Sequence, residues 1–170
     1  MDKQIIDIQM VHLRSITIED FPFVLKWSKD QKFCLANGWG IKRSPEELFQ
    51  WWLNCVRNAS GGFIRMGIEY NEVLLGYADL SNMKQHTAEL GVAIGDSSYW
   101  GKGIGTHAAR CMLTFACDNF NLKQLLAETH ETNVQARFML EKIGFIEMSR
   151  IGNEEYLGNN CKLIQYSLQL

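Results

Sequence analysis

The sequence predicts an α/β fold of the α+β kind, a mixed sheet with helices on both faces. Two observations carry that prediction. Strand-like and helix-like segments follow one another as β-α-α-β-β-β-α-β-α-β-β, which joins hairpins to βαβ units and excludes a uniformly parallel, doubly wound sheet. The helical segments also show apolar stripes, and such stripes need a sheet face to cover them. With 170 residues, no proline- or glycine-rich linker and no internal repeat, the chain reads as one domain over residues 1–170.

The elements come in order. Val11 to Ile18 reads as the first strand. Thr17 precedes Asp20 at capping-box spacing, and Phe21, Val24 and Leu25 form the stripe of a short helix. Asn37-Gly38-Trp39-Gly40 interrupts the chain as a loop. Ser44-Pro45-Glu46-Glu47 supplies an N-cap, a proline at the first helical position and a glutamate three residues on; Leu48, Trp51, Trp52 and Cys55 then mark one helical face. Phe63 to Tyr70 and Val73 to Leu80 flank the tight Asn71-Glu72 connection as a hairpin, and Thr87 to Ile94 is a further strand. After a glycine-rich turn, a helix carries Ile104, Ala108, Cys111, Met112 and Phe115. Gln124 to Thr129 is a short strand. Thr132 or Asn133 caps a helix with Ala136, Met139, Leu140 and Ile143 on one face, and Phe145 to Ile151 and Cys161 to Leu168 close the chain as strands.

Composition narrows the function. A hydrophobic fraction of 46% against 21% charged excludes intrinsic disorder. Seventeen basic and nineteen acidic side chains give a net charge of −2, which argues against a nucleic-acid partner. No apolar run approaches the roughly 18 residues of a membrane span. The opening MDKQIIDIQM lacks the long apolar core and cleavage site of a leader. Cys34, Cys55, Cys111, Cys117 and Cys161 are odd in number and form no C-x-x-C pair, so reduced thiols in the cytoplasm are expected. Cys111 and Cys117 are expected in the core. His12, His86, His107 and His130 are scattered without ligand spacing, and no metal is expected.

Chemistry concentrates in one stretch, Glu89-Leu90-Gly91-Val92-Ala93-Ile94 followed by Tyr99-Trp100-Gly101-Lys102-Gly103-Ile104-Gly105-Thr106. A strand, alternate glycines and a helix start occur in succession. Such a junction aims free backbone N–H groups outward at the positive end of a helix dipole, where a phosphate or pyrophosphate fits. The plainer reading is a glycine-rich turn without a ligand. Walker A spacing is excluded because Gly103 follows Lys102, and a dinucleotide fingerprint is excluded because residue 106 is Thr and residue 108 is Ala.

The x-x-x-Gly103-x-Gly105 pattern resembles motif A of the GNAT family of acetyl-CoA-dependent N-acetyltransferases, usually written Q/R-x-x-G-x-G/A. Asn133-Val134-Gln135-Ala136-Arg137-Phe138-Met139-Leu140-Glu141-Lys142-Ile143-Gly144-Phe145 resembles a second family motif, N-x-x-A-x-x-x-x-E-K-x-G-F. Tyr99-Trp100-Gly101-Lys102-Gly103 and Leu13-Arg14 look most like the RimJ/RimL-like subgroup. Trp100 stands where the general motif has Gln or Arg. Leu140 stands where many members have a tyrosine that protonates the departing thiolate.

The resemblance implies a mostly antiparallel sheet of six to seven strands and acetyl-CoA as co-substrate, with no metal. The amides of Gly101, Lys102, Gly103, Ile104, Gly105 and Thr106 would cradle the pyrophosphate. The pantetheine would pair along Val92, Ala93 and Ile94 like an added strand. Asn133 is similar to the family's pantetheine ligand, and it also reads as a helix N-cap. The partner implied is an amine acceptor, a small molecule or a protein N-terminus, and a homodimer is left open. Glu89 is the candidate base through water, with His86 and His130 behind it. Trp39 is the candidate acceptor-pocket residue, whereas Trp51 and Trp52 read as core. A catalytically silent CoA-binding sensor or partner module is the alternative, and amine-dependent thiol release separates the two.

Overall fold

In the computed structural model, which describes residues 5–58 and 61–170, a capping box turns the chain out of its first strand. Thr17 N donates to Asp20 Oδ2 at 2.8 Å, so β1 (His12–Ser15) stops short of the expected Ile18 and a 3₁₀ turn (Ile18–Asp20) leads into α1 (Phe21–Trp27). Residues 1–4, part of the opening stretch read above as no leader, and residues 59–60 lie outside the described residues. Next come α2 (Gln31–Ala36) and α3 (Pro45–Arg57). Ser44 and Glu47 form the expected reciprocal cap of α3. The hairpin β2 (Ile64–Tyr70) and β3 (Val73–Ser81) turns on Asn71 and Glu72, both at positive φ as a tight hairpin requires. The chain continues through β4 (Thr87–Ile94), α4 (Ile104–Asn119), β5 (Gln124–His130), α5 (Val134–Lys142), β6 (Ile146–Ser149), β7 (Asn153–Tyr156) and β8 (Asn159–Gln169).

Three expectations need correction. Helix α2 was not foreseen, although Asp30 caps it by accepting from Phe33 N at 3.1 Å. The expected strand from Phe145 to Ile151 ends at Ser149, and the polar, exposed Asn153-Glu154-Glu155 run of β7 carries no alternating apolar signal. Cys117 is exposed: five residues beyond the buried Met112, it is rotated roughly 140° to the outer side of α4.

The strands hydrogen-bond in the order β1-β2-β3-β4-β5-β8-β6, with β7 paired to β8 beside this path. Every pairing is antiparallel except β4 with β5, so the sheet is mixed and mostly antiparallel. Helices α4 and α5 cover one face, where Ile104, Ala108, Met112 and Leu140 pack on Ala78, Leu90 and Leu125. The other face carries Val24, Trp27, Phe33, Leu48 and Trp52 from α1, α2 and α3 against Leu74, Tyr77 and Ala93. At the β2–β3 centre, Arg65 grips Asp79 through two 2.8 Å bonds while its guanidinium lies 3.9 Å from the Tyr77 ring. Burial there pushes the Tyr77 phenol up to about 12.

Candidate active site

The parallel pair that makes the sheet mixed also opens it. Strands β4 and β5 stay in register only over Thr87–Glu89 and Gln124–Leu126, then part. Beyond that point β4 pairs with β3 alone, as far as Ile94 opposite Gly76. The Ile94 carbonyl accepts from Trp100 Nε1 at 2.9 Å, so it faces away from β3. Backbone alternation leaves the polar groups of Val92 on that same open side.

A cavity of about 390 Å³ occupies the opening. Val92, Ala93 and Ile94 form one wall, and Gly101, Gly103, Ile104, Gly105 and Thr106 form its end. Gly101 and Gly103 sit at φ +74° and +81°, the left-handed region that favours glycine. Gly103 is the N-cap of the 16-residue α4 and supplies no side-chain cap. The first amides of that helix therefore face the cavity unsatisfied, at the positive end of the helix dipole. A Cβ at Gly103 would meet nothing within 4 Å, and one at Gly105 would reach only Met139 Sδ, at 3.6 Å. The loop thus leaves room for an anion at the backbone, and these residues fit the pyrophosphate of a CoA-type ligand.

The remaining predicted residues divide. Asn133 is the N-cap of α5, its side chain accepting from Ala136 N at 3.2 Å, and it also lines the cavity. Lys102 does not line the cavity; its ammonium lies 5.1 Å from the centre of the Tyr99 ring. Glu89 stands where β4 and β5 part, outside the lining, with Oε2 accepting from Asn82 Nδ2 at 2.8 Å. His86 bonds the Asn121 carbonyl in the connection before β5, on the paired side of the point where β4 and β5 part, and does not line the cavity. His130 bonds Glu154 at 2.8 Å and stacks on Tyr156 with ring centres 4.5 Å apart. Trp39, expected at an acceptor pocket, is 9% exposed and packs on Phe33 and Trp51 instead. Gly38 at φ +65° and the bond from Trp39 N to the Cys34 carbonyl fold that loop back onto α2.

Several lining residues escaped the sequence reading. Ala36 and Asn37 at the end of α2, Gln135, Phe138, Met139 and Lys142 on α5, and Tyr156 on β7 all border the cavity. The signal for α5 was present: Asn133, Ala136, Met139 and Lys142 recur every three residues, a face shared between core and cavity. Asp30 ties the α2 wall to the loop. Burial raises its carboxyl, but bonds from Ser97, Phe33 and Lys32 outweigh that and hold it below the usual carboxylate value.

A model of the acetyltransferase (GNAT) domain matches residues 11–146. In Bacillus subtilis, the "Putative ribosomal N-acetyltransferase YdaF" is 32% identical over 108 residues, 62% of this chain and 58% of that one. The chain spans 32% and 58% of the length of two curated relatives that it matches. Among solved structures, RimL, a ribosomal L7/L12 α-N-protein acetyltransferase in complex with CoA, superposes with a TM-score of 0.83 at 15% identity, over 95% of this chain and 94% of that one. The spermidine N-acetyltransferase of Vibrio cholerae, in complex with CoA and spermine, gives 0.81 at 18% over 95% and 96%. At these identities the likeness is one of fold.

Proposed function

Because the chain belongs to the GNAT family of acetyltransferases, we propose that it moves the acetyl group of acetyl-CoA to a primary amine by direct attack in a ternary complex. One observation carries this reading: the uncapped start of α4 and the unpaired edge of β4 border the same cavity. The free amides of the first turn suit a pyrophosphate, and the open side of Val92–Ile94 suits an amide-bearing chain laid alongside as an added strand. Asn133 borders the same path, and the Lys142 side chain adds a positive charge at the rim. When bound, acetyl-CoA supplies an activated acyl thioester. A backbone N–H of the β4 edge would polarise its carbonyl oxygen.

The attacking amine must be neutral. Deprotonating a lysine-type amine at pH 7 costs about 4.6 kcal/mol, against about 1 for an α-amine. Glu89, at the apex of the opening, takes that proton through water in this reading. The acceptor belongs to one of two kinds, a protein N-terminus as in the RimJ/RimL-like subgroup or a small amine. YdaF and RimL favour the first, and the Vibrio cholerae enzyme favours the second. The test is a thiol-release screen with acetyl-CoA across N-terminal peptides and small amines. Thiol released only when an amine is present supports transfer. CoA binding without turnover on the whole panel would make the chain a silent CoA-binding module.

A further inference from the structure

Leu140 is 3% exposed and packs in the core between α5 and the sheet, so the position that carries a tyrosine elsewhere can give no proton here. A different phenol reaches the cavity. Tyr156 is 8% exposed, yet its hydroxyl has no hydrogen-bond partner among the described residues, and the side chain lines the cavity. The hydroxyl is not sealed in the core but opens onto the cavity, where a bound ligand can reach it. Its placement is set by two elements. The β7–β8 turn, with Leu157 at φ +51° and Gly158 at +81°, brings Tyr156 back over the end of β5. There its ring stacks on His130, interplanar angle 18°, while Glu154 bonds the imidazole at Nε2. Counting four residues on from the last registered pair, Glu89 with Leu126, sets His130 level with Ala93. Tyr156 therefore covers the far lip of the opening, opposite the β4 edge.

The other phenols are excluded by position. Tyr166 already bonds Arg137 and Glu141, Tyr77 is packed on the opposite face beneath Arg65, and Tyr70, at the end of β2, lies outside the cavity lining. Tyr99 also lines the cavity, but it precedes the glycine loop, at the phosphate end, with Lys102 over its ring.

We propose that Tyr156 is the catalytic acid of the transfer, giving its phenolic proton to the departing sulfur; this rests on the acetyl-transfer reading above. The acceptor nitrogen forms its bond to the carbonyl carbon, the carbon–sulfur bond breaks, and the electron pair stays on sulfur. Sulfur takes the Tyr156 proton to leave as the CoA thiol, and the phenolate regains a proton from the one the amine sheds through solvent. Burial, reinforced by nearby Cys161, raises the Tyr156 phenol above its ordinary value, which keeps it protonated at neutral pH.

The test is Tyr156→Phe, which retains the ring and its stack and removes only the unpaired hydroxyl. The expected result is an unchanged or raised melting temperature, an acetyl-CoA Kd within about twofold of wild type, and a kcat lower by about 10²-fold. Tyr99→Phe, measured alongside at saturating acetyl-CoA, tests the phosphate end: its effect should fall on the acetyl-CoA Kd, and its kcat should drop at least about tenfold less than that of Tyr156→Phe. A Tyr156→Phe enzyme with wild-type kcat, or a loss of kcat confined to Tyr99→Phe, overturns the assignment while leaving the acetyl-transfer reading intact. Wild-type protein that releases no thiol with any amine overturns both.

Discussion

Gly105→Ala separates binding from folding more cleanly than any other change in the loop. Gly105 lies in the first turn of α4, and its backbone is not in the left-handed region. An added Cβ would stand 3.6 Å from Met139 Sδ, an ordinary van der Waals contact, so the free protein accommodates it without strain. Alanine also exceeds glycine in helix propensity by about 1 kcal/mol, less in a first turn, so the melting temperature should hold or rise slightly. The ligand meets a different surface. The methyl group occupies the space a phosphate oxygen needs to reach the first-turn amides, and CoA affinity should fall at least about tenfold, or about 1.4 kcal/mol. Gly103→Ala makes the opposite case. Its Cβ meets open space, but φ +81° costs an L-residue about 1–2 kcal/mol, so stability suffers directly. Calorimetric titration with CoA, paired with thermal melts, reads both quantities. A Gly105→Ala protein of unchanged melting temperature and wild-type CoA affinity would refute the placement of the pyrophosphate at this helix start.

Three further outcomes are expected. Glu89→Gln should lower kcat/KM by about 10²-fold with acetyl-CoA binding nearly intact, and more for lysine-type than for α-amines; equal, near wild-type rates on both would return Glu89 to a structural role. Gly95→Ala should destabilise the protein by about 1–3 kcal/mol or more in a urea melt, because its Cβ would land within the indole of Trp27, itself 2% exposed; an unchanged midpoint would contradict that packing. Asp30→Ala should cost about 1 kcal/mol at pH 7 through the lost α2 cap. The Asp30 carboxyl is held below its ordinary value of 3.8, so its contribution is present above that pH and is lost as pH falls through the depressed value. The wild type–variant difference should therefore shrink in melts at strongly acidic pH, and an equal difference at both pH values would sink the argument.

Local chemistry determined much of this protein without help from the fold. The Ser44 and Glu47 cap, the Asn71-Glu72 turn and the alternate glycines before α4 depend on residues within a few positions of one another. Sequence spacing reports such features directly. The uncapped helix start that borders the cavity was legible for the same reason. Asn133 was legible as a cap, and its second place, on the cavity wall, only the fold could show. Trp39 failed because a glycine-flanked tryptophan in a loop can point either way. The direction was settled by Phe33, Trp51 and the Cys34 carbonyl, partners on other elements. Tyr156 was invisible because the polar β7 has no burial pattern of its own; its position exists only once β8 folds that hairpin onto His130. The opening between β4 and β5 is also tertiary, since no residue of either strand encodes the point at which its parallel neighbour turns away. Backbone groups near in sequence satisfy one another locally, whereas a cavity is made by surfaces far apart in the chain, and its walls are decided only when those surfaces pack.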